Sequence, residues 1–129
     1  ASDIPVLLSG GSLDLITPPL SEQLGLLRAL PSNPGTRAVL VEGASHFSPV
    51  RVEGQRGGEG EDLFQLGEEF VGVQPLQVQA LLKQEILRFL EALESGRRVK
   101  RAEADAEHLQ VRALHLYRLN QAGAARLLD

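Results

Sequence analysis

An aspartate and a histidine stand at matching places after two apolar segments of this 129-residue chain. Asp14 follows the apolar residues 4–8 and the glycines that end them, and His46 follows the apolar residues 38–41. An aspartate that faces a histidine fixes the tautomer of the imidazole ring and stabilises the imidazolium that forms when the ring accepts a proton. The pair therefore has the chemistry of a general base with its orienting carboxylate, which needs a separate nucleophile to work in catalysis.

The segments before these two residues predict buried β-strands, over residues 4–8 and 37–41. Between them, leucines spaced three or four apart predict a helix over residues 20–30. A strand, a helix and a strand with short connections form a βαβ unit, so we expect a parallel pair of strands. Because the carboxyl ends of parallel strands meet at one edge of a sheet, Asp14 and His46 are expected within hydrogen-bonding distance there.

The rest of the chain predicts one long loop and two more helices. Residues 51–62 contain four glycines and six charged residues, a composition typical of a loop. Apolar residues at helical spacing predict a helix over residues 75–94. The basic residues 97–101 then form a hinge, and a last helix is expected over residues 103–122.

Composition excludes several classes of function. With 13 basic and 17 acidic residues the formal charge is −4, so no basic surface for nucleic acid is expected. No apolar run approaches the roughly 20 residues that cross a bilayer, so no membrane partner is expected. The absence of cysteine excludes disulfides, thiolate zinc sites and a cysteine nucleophile within the 129 residues.

Structural interpretations stand beside the chemical ones. Asp14 alone also fits a turn or a helix N-cap, and His46 alone also fits a loop histidine bound to a backbone carbonyl. His108 and His115 are seven residues apart on the last predicted helix, which without a third ligand favours two solvated histidines over a metal site. The hinge 97–101 is expected to be a solvated link. We predict no metal and no cofactor.

Two segments resemble the acid loop and the histidine loop of the α/β-hydrolase family. The acid loop is similar to residues 10–18, G-G-S-L-D-L-I-T-P, and the histidine loop is similar to residues 39–48, V-L-V-E-G-A-S-H-F-S. Their order and separation also match, most closely the bacterial dienelactone-hydrolase-like proteins. The resemblance covers about residues 4–95. It implies hydrolysis of a small-molecule ester or lactone through an acyl-enzyme, with Asp14 and His46 as the acid and the base of a catalytic triad.

The nucleophile of that family has no counterpart in the sequence. The family order is Ser, Asp, His, with the serine in a G-x-S-x-G elbow. Ser12 and Ser45 each have a glycine two residues before them but none two residues after. The chain also has no methionine, even at position 1. We therefore expect the C-terminal portion of a hydrolase: residues 1–96 belong to the hydrolase domain, 97–129 form the hinge and a helical extension, and the serine lies upstream.

The expected fold class is α/β, a parallel-sheet fragment of about two strands and two to three helices with the C-terminal helical extension. By itself the chain is expected to be inactive, and the alternative is a non-enzymatic α/β module for assembly or interaction. The residues of its two predicted strands do not alternate between apolar and polar, which is typical of strands buried on both faces. Such a pair of strands has at least one edge without a strand partner. We therefore expect a homodimer or larger self-association, through a continued sheet or through exchange of the terminal helix.

Overall fold

The computed structural model describes residues 3–46, 48, 75–95 and 104–129. The predicted loop over 51–62 and the hinge at 97–101 lie outside the described residues. In chain order the elements are β1 (Leu7–Gly11), a π-helical segment (Pro19–Leu24) that continues as α1 (Gly25–Ala29), β2 (Arg37–Val41), α2 (Pro75–Glu94), β3 (Ala106–Val111), β4 (Leu114–Asn120) and α3 (Gln121–Leu128). Of the described helices, none is long and apolar enough to span a bilayer.

The four strands form one mixed sheet in the order β1-β2-β4-β3. β1 and β2 are parallel, with Leu7 opposite Arg37 and Gly11 opposite Val41, which confirms the predicted parallel pair. The first strand is displaced from its prediction, because it begins at Leu7 and runs through both glycines. The pairs β2–β4 and β3–β4 are antiparallel. The architecture is therefore of the α/β type, with a parallel pair extended by an antiparallel hairpin.

The prediction of a helix over residues 103–122 is wrong. Residues 106–120 form the hairpin β3–β4, and its turn holds Arg112 at a positive φ of 57°. The buried leucines Leu114 and Leu116 stand two apart, which is the period of a strand. The chain becomes helical only at α3, where the side chain of Asn120 accepts the N–H of Gly123 at 2.8 Å. The C-terminal part thus adds two strands to the sheet where a helical extension was expected, so no terminal helix over 103–122 exists to be exchanged.

Helices cover both faces of the sheet. One face packs against α2 through buried residues, namely Val39, Val41, Ala44, Val78, Leu81, Leu114 and Leu116. The other face packs against α1, the π-helical segment and α3 through Leu24, Leu27, Ala38, Leu119 and Ala124. These two layers of side chains hold β1 and β2 in place from both sides, so the loops at their carboxyl ends start from fixed positions.

Helix α2 forms over the predicted residues but buries a different face. Its buried residues are Val78, Leu81 and Glu85. Glu85 is only 6% exposed because its carboxylate binds the guanidinium of Arg118 on β4, with Nη2 2.6 Å from Oε1 and Nε 2.9 Å from Oε2. This ion pair turns the predicted apolar stripe partly outward, so that Ile86, Leu90 and Leu93 remain about half exposed.

Candidate active site at the carboxyl edge of β1 and β2

The loops that follow β1 and β2 are joined into one unit. The N–H of Leu13 donates to the carbonyl of Ala44 at 3.0 Å, and the N–H of Gly43 donates to the hydroxyl of Ser12 at 2.8 Å. The first bond joins two backbone groups, and the second joins a backbone group to a side chain. Together they fix the position of one loop relative to the other. A side chain on one loop therefore keeps its place relative to a side chain on the other.

Gly11 allows the two loops to come this close. A Cβ atom at this position would overlap the carbonyl oxygen and the carbonyl carbon of Ala44, both of which are backbone atoms. Since backbone cannot swing aside as a flexible side chain can, only glycine fits at the end of β1. The glycine pair that ends this strand in the sequence therefore has a packing role in the site.

The carboxylate of Asp14 is the most highly coordinated group in these loops. Its Oδ1 accepts the N–H groups of Ile16 and Thr17 at 3.0 and 2.8 Å. Its Oδ2 accepts the hydroxyl of Thr17 at 2.8 Å and lies 3.0 Å from Nδ1 of His46. Asp14 is therefore a turn residue and at the same time the partner of His46. The predicted hydrogen-bonding distance between these two side chains is confirmed.

The charge state of Asp14 follows from these contacts. Burial of the side chain, which is 5% exposed, raises the pKa of Asp14. The hydrogen bonds from the Thr17 amide and hydroxyl, from the ring of His46 and from the Ile16 amide outweigh burial and bring the pKa of Asp14 below its ordinary value. The carboxylate is therefore ionised at neutral pH.

An ionised carboxylate fixes the tautomer of His46. Because such a group only accepts hydrogen bonds, Nδ1 of His46 must carry the proton in the 3.0 Å contact with Asp14. In the neutral ring the lone pair then lies on Nε2, which makes Nε2 the nitrogen that accepts a proton. The side chain of His46 is 38% exposed while that of Asp14 is 5% exposed, so the ring reaches outward from a buried anion.

A small pocket of about 130 Å³ adjoins the pair. Its lining includes the polar side chains of Asp14, Thr17 and His46 and the apolar side chains of Val78 and Leu82 on α2. Waters occupy about 30 Å³ each in the liquid, so the volume suits a few waters or a small acyl group. The apolar side chains of Val78 and Leu82 therefore line the same pocket as Asp14 and His46.

Sequence reasoning missed the role of Thr17. The Thr-Pro-Pro sequence at residues 17–19 predicts a helix start, but Thr17 also supplies two of the hydrogen bonds to Asp14. The signal was present, because an aspartate followed three residues later by a threonine is the spacing of a side-chain-to-backbone turn. Thr17 also lies close to the histidine, with its Oγ1 3.3 Å from Nδ1 of His46.

The other two histidines lie in the hairpin, not on a helix. Nε2 of His108 on β3 is 2.8 Å from Nδ1 of His115 on β4, and the ring of Tyr117 stacks on that of His108 with centroids 4.7 Å apart. The hydroxyl of Tyr117 donates to the carboxylate of Glu42 at 3.0 Å. Within the described ranges no three or more His, Asp or Glu side chains are grouped to hold a metal ion.

The site thus consists of a buried, ionised Asp14 that holds Nδ1 of His46 at the carboxyl edge of two parallel strands. Comparisons with protein-family models, with curated proteins and with solved structures found no match to this chain.

Proposed function

We propose that Asp14 and His46 are the acid and the base of a serine-hydrolase-type catalytic triad that cleaves a small-molecule ester or lactone. The observation that carries the proposal is the 3.0 Å contact between Oδ2 of Asp14 and Nδ1 of His46, made by a buried carboxylate. In such a triad the acid holds Nδ1, and Nε2 works on the nucleophile. The resemblance of both loops to the acid and histidine loops of the dienelactone-hydrolase-like proteins is a second, separate support.

The pair acts in two proton transfers. As a serine hydroxyl attacks the carbonyl carbon of the ester, Nε2 of His46 accepts the hydroxyl proton, and Asp14 stabilises the imidazolium that results. His46 then gives this proton to the oxygen of the leaving alcohol when the carbon–oxygen bond breaks. Water repeats the sequence on the acyl-enzyme and returns the serine. Asp14 keeps its negative charge throughout, which its hydrogen bonds with Thr17 favour.

The nucleophile and the oxyanion hole belong to a segment outside the 129 residues. Two serines that precede the pair in these loops have structural partners: the hydroxyl of Ser12 accepts the N–H of Gly43 at 2.8 Å, and that of Ser45 lies 3.2 Å from the hydroxyl of Ser48. Neither serine stands in a G-x-S-x-G elbow. Because the serine precedes the acid in the hydrolase order, the proposal puts the missing elements ahead of residue 1.

Ester hydrolysis tests this proposal in two arms. The 129-residue chain should hydrolyse p-nitrophenyl acetate no faster than the same concentration of imidazole. A longer polypeptide that includes a G-x-S-x-G element encoded upstream should hydrolyse it, and kcat should fall by about 10⁶-fold in His46→Ala and by about 10⁴-fold in Asp14→Asn. His108→Ala is the matched control and should retain the rate. A reading frame without such an element, or turnover by the short chain that His46→Ala abolishes, contradicts the proposal.

A second candidate is a non-enzymatic assembly module, and the uncovered edge of β1 favours it. The order β1-β2-β4-β3 leaves β1 with one strand partner among the described residues. The two candidates differ in what Asp14 does. In an assembly module Asp14→Asn changes only the local turn, whereas in a hydrolase it removes the activity of the longer polypeptide.

A further inference from the structure

Among the described residues, strand β1 lies at one edge of the sheet. In the part of the chain that the structure describes, β2 is the only strand that pairs with it. The outer side of an edge strand presents N–H and C=O groups in the geometry that another strand would bind. β1 reads Leu-Leu-Ser-Gly-Gly and carries no charge, whereas the opposite edge strand, β3, carries Glu107. Charge on an edge strand opposes pairing, so β1 is the less protected of the two edges.

An apolar groove of about 460 Å³ runs beside this edge. Leu7, Ser9 and Val39 line it from the sheet, and Leu82, Ile86 and Leu87 line it from α2. Ile86 and Leu87 are 49% and 47% exposed, and Leu90 on the next turn is 47% exposed. The open backbone of β1 and the exposed side of α2 therefore form one continuous surface, which we call the β1–α2 face.

We propose that a second copy of this chain binds the β1–α2 face, with the two β1 strands antiparallel about a two-fold axis that passes near Ser9. In this register Leu7 lies opposite Gly11 of the second copy, and Leu8 lies opposite Gly10. Each leucine thus meets a residue that has no side chain. The sequence of the strand is self-complementary in size, which is the requirement of an isologous contact.

Helix α2 carries the same kind of self-complementarity in charge. Lys83, Leu87 and Glu91 are spaced four apart and therefore lie along one line of the helix. An axis normal to the sheet brings both α2 helices to the same sheet face in antiparallel orientation. Each Lys83 then lies beside a Glu91 of the other copy, with the two Leu87 side chains between them. The two four-stranded sheets then form one continuous sheet of eight strands. The two α2 helices pack against each other over the groove beside β1.

Self-complementarity is the reason for choosing a second copy over an unlike partner. Both the strand and the helix match themselves when reversed, the strand in side-chain size and the helix in charge. Strand β2 lies between β1 and β4 and pairs with both. Among the described residues, a further strand can therefore extend the parallel pair only by binding to β1. The proposal concerns the 129-residue chain and uses neither Asp14 nor His46, so a monomeric chain would leave the hydrolase proposal standing.

Gel filtration coupled to light scattering tests the proposal on the 129-residue chain. At about 10 to 100 μM the mass should be twice the 14.0 kDa of one chain. Ser9→Lys sets two like charges directly opposite each other across the axis and should give the single-chain mass. Gln110→Lys is the matched control, since it places the same charge on the exposed β3 edge, and it should stay dimeric.

A second variant covers the case in which Ser9→Lys unfolds the chain. Leu87→Glu lies on the exposed side of α2, where the new carboxylate pairs with Lys83 of its own helix. It should keep the circular dichroism spectrum of the parent and give the single-chain mass. A parent that is monomeric at 100 μM overturns the proposal. A dimer that persists in a folded Ser9→Lys or Leu87→Glu variant overturns it as well, because the contact then lies elsewhere.

Discussion

Thr17 binds both oxygens of the Asp14 carboxylate: its amide donates to Oδ1 and its hydroxyl donates to Oδ2, each at 2.8 Å. One residue therefore sets the orientation of the anion in two directions. The hydroxyl shares Oδ2 with the ring of His46, so the second lone pair of that oxygen remains directed at Nδ1. The geometry of the pair depends on a residue that has no direct part in proton transfer.

Removing the hydroxyl of Thr17 should raise the pKa of Asp14. Thr17→Val keeps the shape of the side chain and the backbone N–H but leaves Oδ2 with one donor fewer, so the ionised carboxylate is less stabilised. We expect a loss of about 1 kcal/mol in the free energy of unfolding. Carboxyl-carbon NMR titration measures the pKa. Thr17→Ser is the matched control and should keep the titration of the parent, and equal curves for Val and Ser contradict the role.

Asp14 should make the stability of the fold depend on pH at the acid end. Its pKa in the folded protein is lowered, so folding favours the ionised form. The contribution of Asp14 is complete above the ordinary pKa of 3.8 and is lost as the pH falls through the lower pKa of the folded state. Asp14→Asn should cost about 1–2 kcal/mol at pH 7, and the difference from the parent should narrow towards pH 2. Urea unfolding at several pH values measures it.

Asp3→Asn is the control for that titration, because Asp3 is an exposed aspartate of the same chain. It should change the free energy of unfolding at pH 7 by less than about 0.5 kcal/mol. If Asp14→Asn changes this free energy no more than Asp3→Asn does, the hydrogen bonds to Asp14 do not stabilise its charge in solution.

The parallel half of the fold and the Asp14–His46 contact were predictable because they depend on local signals. Continuous apolar runs that end in glycine indicate buried strands, and the short connection through one helix fixes their parallel direction. Parallel strands have their carboxyl ends at one edge, so residues that directly follow them must be neighbours. The contact of 3.0 Å then required only that Gly11 let the two loops approach.

The hairpin was not predictable from the same kind of signal. Leu109, Ala113 and Leu116 are spaced as on a helix, and this pattern overlaps the two-residue alternation of Leu114 and Leu116. What decides between them is the pairing of β4 with β2, a contact between residues far apart in the sequence. Propensity over a short segment carries no information about such a partner.

The buried face of α2 was missed for a related reason. Glu85 is a charged residue, so hydrophobic periodicity assigns it to solvent. It is buried because Arg118, 33 residues later, neutralises it. A buried charge needs a partner, and the partner became visible only once β4 had been placed beside β2.

Gly11→Ala should disrupt the site without touching either functional side chain. The added methyl group overlaps the backbone carbonyl of Ala44, so the loops after β1 and β2 must move apart. We expect a loss of about 2–3 kcal/mol in the free energy of unfolding and a longer distance from Asp14 to His46. Gly25→Ala is the control: the nearest atom to a Cβ there is 3.9 Å away, so the helix should be unchanged or more stable. Thermal unfolding of both variants measures the effect.

The single tyrosine of the chain provides a spectroscopic test of the hairpin. The hydrogen bond to Glu42, followed by burial and the charge of Glu42, raises the pKa of Tyr117 above 10.0. The neutral phenol is therefore favoured by folding, and its contribution to stability is present below pH 10 and lost as the pH rises through the higher pKa of the folded state. Glu42→Gln should bring the ionisation midpoint, read at 295 nm, back towards 10.0. Glu107→Gln, a carboxylate that binds Arg118 instead, should leave the midpoint unchanged.

Docking of the hairpin on α2 should depend on the ion pair between Glu85 and Arg118. Both side chains are mostly buried, so Glu85→Ala leaves a guanidinium in the interior, and the more exposed Glu107 is its remaining partner among the described residues. A buried charge that loses its partner costs about 3 kcal/mol. Urea unfolding should show this loss for Glu85→Ala, whereas Glu22→Ala, an exposed glutamate of the π-helical segment, should change stability by less than about 0.5 kcal/mol. The double variant Glu85→Leu with Arg118→Met removes both buried charges and should recover most of the loss, since the Glu107 carboxylate that also loses Arg118 is exposed to solvent. A Glu85→Ala chain as stable as the Glu22→Ala chain would mean that the hairpin does not pack on α2 through this pair.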